Sequence, residues 1–150
     1  MVPRTLSALA TLYEADETAW LDQTAELVRS GRFDQLDAVA LAEYLTDMAK
    51  RDRREVSSRL VALLAHLLKW EHQPERRSGS WQGTILDQQR ELRQLLDSGT
   101  LRNHAVKVFA EAYADARKQA AAETRLARAD FPEECPWNLD GTLTDRGEDA

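Results

Sequence analysis

Residues 57–85 read SSRLVALLAHLLKWEHQPERRSGSWQGTI, and their pattern predicts the helix around which the rest of the chain packs. From Val56, just before this stretch, large apolar residues recur at intervals of three and four, the spacing of a buried helix face: Val56, Leu60, Leu63, Leu67 and Trp70. Leu64 and Leu68 widen this stripe, so we expect a central helix buried on most of its sides. Pro74 ends that helix, and Ser80 is predicted to cap the next one.

The rest of the chain also favours helix, because Ala, Leu, Glu, Arg and Gln dominate over Ile, Val and Gly. At 150 residues the chain can bury one core without a disulfide or a metal. The predicted fold is an all-α single-domain bundle of about five helices with an extended C-terminal strap. The helical domain is expected over residues 15–143, after an arm or short helix at 1–14 and before a loose acidic tail at 144–150.

Short polar residues and glycine mark the expected ends of the first helices. Asp16 is a predicted N-cap, and its helix is expected to end at Gly31. Asp37 is predicted to cap the next helix. The charged run KRDRR at 50–54 is expected to break the chain between that helix and the central one. The residues expected to face inward before this break are Trp20, Thr24, Leu27, Val28, Leu41, Tyr44, Leu45 and Met48.

The last long helix is predicted to begin at Thr100, just after Gly99. Its expected core residues are Leu101, Ala105, Val108, Ala112, Tyr113, Ala116 and Ala120. Two prolines within 131–139 prevent this helix from continuing. We therefore predict a strap over the bundle, anchored by Phe131, Trp137 and Leu139.

The charge pattern argues against a general nucleic-acid-binding protein, because the net charge is -6. Residues 50–77 are basic, whereas both ends of the chain are acidic, so we expect the acidic ends to neutralise much of the basic centre. The single cysteine, Cys135, excludes an internal disulfide framework, and its acidic neighbours favour a packed thiol over a nucleophile. No long apolar run or signal-peptide pattern is seen, which predicts a cytoplasmic protein without membrane association.

Arg59 and His66 lie two helical turns apart on one flank of the central helix. In the structural interpretation, Arg59 pairs with a carboxylate at the rim of the core and His66 makes one buried hydrogen bond. In the catalytic alternative, the pair resembles the Arg and His of metal-independent helical ribonucleases of the HEPN-type superfamily. There the Arg stabilises phosphate charge and the His transfers a proton at the RNA 2′-hydroxyl.

Metal and cofactor chemistry finds little support in the sequence. No HExxH, paired-cysteine, GxGxxG or P-loop motif occurs, so no cofactor is expected. The weak candidates for a carboxylate–histidine metal site are Glu43, Asp47, His66 and Glu123. Pairing of these acids with arginines is the favoured interpretation.

The end of the central helix combines aromatic and basic residues, which is typical of an anion-binding or partner-binding surface. The residues concerned are Lys69, Trp70, His72, Arg76, Arg77 and Trp81. Packing of this helix end on Trp81 is the alternative explanation. If the surface binds, we expect a protein partner, with RNA as the alternative; the oligomeric state is not predicted.

Several segments together resemble a bacterial family known as domain of unknown function twenty-nine. They are YEADETAW at 13–20, GRFDQLD at 31–37, LAEYLTDMA at 41–49, the 57–85 stretch, ETRL at 123–126 and FPEECPW at 131–137. The resemblance covers about residues 13–143 and implies a nearly all-helical fold without an established activity. Members usually have Gly where Ala49 stands, which agrees with the predicted break.

The family pattern, carried over to this chain, includes much of the polar set described above. Its residues are Glu43, Asp47, Arg59, His66, Lys69, Trp70, Pro74, Arg77, Trp81, Thr84, Glu123 and Trp137. We therefore predict an interaction or regulatory protein that binds a macromolecule through the end of its central helix. A ribonuclease-like phosphoesterase using Arg59 and His66 is the alternative, and no catalytic activity is assigned.

Overall fold

The computed structural model describes residues 4–144, with their side chains from Ala8 onward. These residues form six α-helices and no strand. The helices are α1 (Arg4–Ala15), α2 (Glu17–Arg29), α3 (Ala38–His72), α4 (Gly79–Leu95), α5 (Gly99–Thr124) and α6 (Leu139–Leu143), with short 3₁₀ turns at Phe33–Gln35, Pro74–Arg76 and Arg128–Asp130. The predicted all-α bundle is confirmed, with six described α-helices instead of about five. None of the helices within residues 4–144 combines the length and apolar character needed to cross a membrane.

Both predicted caps in the first part of the chain are confirmed. The Asp16 carboxylate accepts a hydrogen bond from the backbone N–H of Ala19 at 3.1 Å, so α2 begins at Glu17. Asp37 accepts one from the N–H of Ala40 at 3.1 Å and caps α3 in the same way. Gly31, just after α2, has φ of +73°, a left-handed conformation that glycine adopts without steric cost.

Helix α3 runs unbroken from Ala38 to His72, so the predicted break at 50–54 is wrong. That run contains no Gly or Pro, and Lys and Arg are good helix formers. Four of its five residues are exposed, where their charges need no protein partner. A run of charges on the solvent side is therefore compatible with a helix of 35 residues, about 52 Å long.

Helices α4 and α5 begin earlier than predicted, because the caps are Ser78 and Ser98. Each serine hydroxyl accepts a hydrogen bond from the backbone N–H three residues on, at 3.2 and 3.3 Å. The expected caps, Ser80 and Thr100, are wrong. The glycine after each serine, Gly79 or Gly99, is the first residue of its helix, where the backbone N–H group has no intrahelical partner.

The chain packs as two compact units, the first ending at Lys50 and the second beginning at Arg51. In the first unit the Trp20 ring is fully buried, with the Tyr13 and Tyr44 rings at centroid distances of 4.6 and 5.7 Å. The buried apolar residues of this unit are Leu9, Trp20, Leu27 and Ala40. Val28 and Leu45, expected to face inward, are exposed and line a shallow groove between α2 and α3.

The second unit contains the larger core, and the predicted stripe of α3 supplies its centre. Val56, Leu60, Leu63 and Leu67 are buried, as are the widening residues Leu64 and Leu68, while Trp70 is half-buried. Six of the seven core residues predicted for α5 are buried, and Val108 is half-buried. The spacing in the sequence therefore located most of this core.

The strap after α5 lies against α4 and α5 and is held there by side chains that bond its backbone. Gln89 donates to the carbonyls of Thr142 and Thr144 at 3.0 and 2.9 Å, and Arg93 donates to the carbonyl of Leu143 at 2.7 Å. Phe131 and Leu139 are buried as predicted, and Trp137 is half-buried. The strap is not fully extended, since it includes α6. The predicted loose tail lies outside the described residues except for Thr144.

Candidate functional site

The candidate site lies in the second unit, at the C-terminal end of α3. Helix α3 ends at His72, and Pro74 begins a short 3₁₀ turn that leads into α4. This turn brings Trp81, near the start of α4, next to Lys69. The predicted basic-aromatic residues are thus gathered around one helix end, but their exposure differs.

Lys69 is buried, with 7% of its surface exposed, and its charge already has partners. Its ammonium lies 2.7 Å from a carboxylate oxygen of Glu123 and 5.2 Å from the centre of the Trp81 ring. The hydrogen bond from Lys69 lowers the pKa of Glu123 below its usual value, against the opposing effect of partial burial. Lys69 and Trp81 therefore belong to the packing of this helix end rather than to its free surface.

His66 is half-buried one turn before Lys69. Its Nδ1 donates to the backbone carbonyl of Ala62 at 2.9 Å, so Nε2 is the proton acceptor of the neutral ring. Burial is the main cause that lowers the pKa of His66; the charge of Lys69 acts in the same direction, and the Ala62 carbonyl and Glu123 act against it. The neutral ring is therefore favoured near pH 7, a state in which it could accept a proton.

Arg59 is held by two other side chains. Its Nε donates to Glu55 at 2.9 Å, and a terminal nitrogen donates to the amide oxygen of Gln88 at 3.2 Å. Arg59 thus pairs with a carboxylate and His66 makes one hydrogen bond, as the structural interpretation of the sequence predicted. No hydrogen bond within the described part of the chain links Arg59 to His66, and neither lines the large cavity of this unit described below.

The exposed part of the predicted basic-aromatic set consists of His72, Arg76 and Arg77. The guanidinium of Arg77 lies 4.9 Å from the centre of the Trp70 ring, and its Nε donates to the Trp70 carbonyl at 2.8 Å. The His72 ring meets Phe131 edge-on at 5.0 Å. Together with half-buried Trp70, these three residues form what we call the α3-end surface.

The metal-site candidates are distributed over both units. Glu43 and Asp47 are exposed in the first unit, whereas His66 and Glu123 lie in the second. Within residues 4–144 no three or more His, Cys, Asp or Glu side chains are grouped so that they could hold a metal ion. The charges of Glu43 and Asp47 instead help to raise the pKa of Tyr13, for which partial burial is the main cause.

Two polar residues with structural contacts, His104 and Gln89, are not indicated by any sequence pattern. His104 Nε2 lies 3.2 Å from the hydroxyl of Ser57, and that hydroxyl also donates to the Arg53 carbonyl at 3.2 Å. Because the hydroxyl hydrogen of Ser57 is used in that bond, His104 Nε2 donates to the serine oxygen. A catalytic base would instead accept the proton of the serine hydroxyl. Gln89 is fully buried and holds the strap. Their partners lie about 50 residues away, so no local pattern reveals them.

Comparison with known proteins identifies the family of this chain. A family model described as "Domain of unknown function DUF29" matches residues 12–146. The chain belongs to the DUF29 family. The resemblance predicted from the sequence is therefore confirmed. No curated protein and no solved structure matches the chain.

In this DUF29 chain, the residues carried over from the family pattern do not form one site. Lys69, Trp81 and Glu123 are in mutual contact through the Lys69 ammonium, and His66 lies close enough to both charges for them to shift its pKa. Trp70 and Arg77 stack beside them. Glu43 and Asp47 belong to the other unit. The cluster at the end of α3 is thus the best candidate site.

Proposed function

We propose that this protein is an interaction module that binds an acidic segment of a protein partner through the α3-end surface. The observation that carries the proposal is the Arg77 guanidinium, exposed to solvent yet held over the Trp70 ring and bonded to the Trp70 carbonyl. An arginine held in place loses less conformational entropy on binding than a free one. Its planar fork suits carboxylates, which it binds with two parallel hydrogen bonds.

The charges beside Arg77 support the same partner chemistry. Arg76 is exposed, and neither Arg76 nor Arg77 forms an ion pair within the described residues. Two consecutive, exposed arginines whose charges are available for an ion pair favour an acidic ligand. The ion pair between buried Lys69 and partly exposed Glu123 joins α3 to α5 at this helix end without being part of the surface.

An acidic protein segment is favoured over RNA because it carries fewer negative charges than a nucleic-acid backbone, so the net charge of -6 on the chain repels it less at longer range. The ribonuclease-like alternative has weaker support. Nε2 of His66 could accept a proton, but the Arg59 guanidinium is engaged by Glu55 and Gln88 and is not free to bind phosphate.

The test is affinity capture with three tagged full-length proteins: the wild type, an Arg76→Glu/Arg77→Glu variant and an Arg51→Glu/Arg54→Glu control. The control makes the same charge change at two exposed arginines on α3, away from the α3-end surface. We expect one acidic protein to be captured by the wild type and the control, and lost from the Arg76/Arg77 variant. Its binding should weaken with rising salt, because the contacts are ionic and exposed.

Circular dichroism of all three proteins checks that each is folded. Capture of the same protein by all three would contradict the proposal, as would retention that disappears after ribonuclease treatment. In the second case RNA would be the partner. RNA cleavage by the wild type, lost in a folded His66→Ala variant, would instead favour the catalytic alternative.

A further inference from the structure

A second surface of the second unit is not explained by the proposed function. A cavity of about 690 Å³ lies between α5 and the strap. Its floor is one face of α5, formed by Arg102, Val106, Phe109, Ala110 and Tyr113. Residues of the strap from Glu133 to Asp140 form the opposite wall. We call this cavity the α5–strap groove.

The groove is preformed, because polar contacts fix both of its sides. The Tyr113 hydroxyl donates to the Pro132 carbonyl, and Arg117 donates to the Phe131 carbonyl at 3.1 Å. At the other end, Arg102 is paired with Asp140 at 2.6 Å. A partner that enters the groove would therefore not have to order it first.

The lining of the groove is mainly apolar and open to solvent. Val106 is 61% exposed, and the rings of Phe109 and Trp137 are half-buried on either side. Apolar side chains that line an open concave surface are typical of binding sites. The α5 face extends over twelve residues from Arg102 to Tyr113, about 17 Å or three helical turns. That length suits a helix lying along the groove better than a compact small molecule.

The charged residues at the groove indicate which charge its partner carries. Glu133 and Glu134 are exposed at its edge, and no ion pair within the described residues engages either of them. The positive charge of Arg102 is neutralised by Asp140. The rim is therefore acidic, and basic residues on the partner would complement it.

We infer that the α5–strap groove binds a basic amphipathic helix of a partner protein, with its apolar face on Val106, Phe109 and Trp137 and its Lys or Arg residues near Glu133 and Glu134. This inference does not depend on the proposed function. The α3-end surface is basic and the groove is acidic, so the two surfaces would select partners of opposite charge.

The test uses two synthetic helical peptides with the same leucines at helical spacing. One carries lysines beside its apolar face, and the other carries glutamates at the same positions. Binding to the full-length protein is followed by fluorescence anisotropy of the labelled peptide. The rate of alkylation of Cys135, which lines the groove and is the only cysteine, reports where the peptide binds.

Two variants change the groove without removing buried groups: Val106→Gln, and Glu133→Gln/Glu134→Gln. Their matched controls lie in the first unit. Val39→Gln alters a valine that is 80% exposed, and Glu14→Gln/Asp22→Asn removes two exposed charges. We expect the basic peptide to bind the wild type and both controls, and to bind each groove variant at least about tenfold more weakly. Bound peptide should slow the alkylation of Cys135.

Any of three results would overturn the inference. The first is no binding of the basic peptide to the wild type at concentrations up to about 1 mM. The second is equal binding of the basic and acidic peptides, or equal binding to groove variants and controls. The third is binding that leaves the alkylation rate of Cys135 unchanged.

Discussion

The two compact units differ in how well they cover their apolar residues. The second unit buries leucines from α3 together with residues of α4, α5 and the strap in one continuous core. Among its described residues, the first unit buries four apolar side chains. Among the described residues, four of the six exposed large apolar side chains also belong to the first unit, namely Val28, Phe33, Val39 and Leu45. The smaller unit thus leaves more apolar surface in water.

The second unit covers its apolar residues better because it is larger and because polar contacts join segments that are distant in its sequence. A short segment has too little volume to enclose its own apolar side chains. The second unit also holds its irregular strap by hydrogen bonds from Gln89, Arg93 and Arg117, which allow loop backbone to pack on a core. We therefore expect the second unit to dominate the free energy of unfolding and the first to open more readily.

The largest expected effect is from truncating a core leucine in each unit. Leu63→Ala in the second unit should lower the free energy of unfolding by about 3 kcal/mol, because Leu63 is fully buried among other leucines. Leu27→Ala in the first unit should cost about 2 kcal/mol, the low end for such a truncation, since that small core can partly relax. Urea unfolding measures both values. Equal losses, with amide exchange rising in both units for either variant, would contradict the comparison.

An intermediate effect is expected from removing one carboxylate in each unit. Glu123→Ala should cost about 2 kcal/mol, because it leaves the buried Lys69 ammonium without its ion pair. The Glu123 side chain is 42% exposed, so water can replace part of the lost interaction. Glu26→Ala in the first unit breaks an exposed pair with Arg29 and should cost at most about 0.5 kcal/mol.

Lys69→Met is the control for this second prediction. It keeps an apolar stem against Trp81 and leaves a carboxylate that water can reach, so it should cost less than Glu123→Ala. If Lys69→Met is the more destabilising of the two, burial of the ammonium is not the decisive feature. Thermal and urea unfolding at neutral pH and moderate salt measure the difference.

The smallest expected effect is a histidine-linked pH dependence of the second unit, which contains all three histidines. The pKa of His66 is lowered from 6.5 in the folded protein, so the unfolded chain binds the proton more readily. Its contribution to stability is complete above about pH 6.5 and is lost as pH falls towards the lowered pKa. The difference in unfolding free energy between wild type and His66→Gln should therefore shrink over this range. A constant difference across it would show that His66 does not titrate abnormally.

Much of the fold could be predicted because its signals are local. An N-cap bond joins residues three apart, and a buried helix face repeats every three or four residues, so Asp16, Asp37 and the α3 leucines were readable from the sequence. The same local reasoning failed at 50–54, where a charged run looked like a turn. Exposed charged residues alone do not end a helix; a residue that disfavours the helical backbone, such as Gly or Pro, is also needed.

The candidate site was predicted less well, because exposure depends on what the rest of the chain covers. The sequence identified the end of α3 as a place rich in aromatic and basic groups. Only the structure separates the buried Lys69 from the exposed Arg76 and Arg77, since that difference is made by Glu123 and Trp81.

The sequence by itself therefore determined the helical class, the family, the starts of α2 and α3, the end of α3 and the α3 face that forms the core, all through patterns within short stretches of sequence. Tertiary structure alone decided the pairing of Lys69 with Glu123, of Arg102 with Asp140 and of Gln89 with the strap, across 54, 38 and 53 residues. Such contacts form when packing brings distant segments together, and the spacing of residues along the chain does not predict them. The α5–strap groove depends on those contacts, and for this reason it has no counterpart in the sequence pattern.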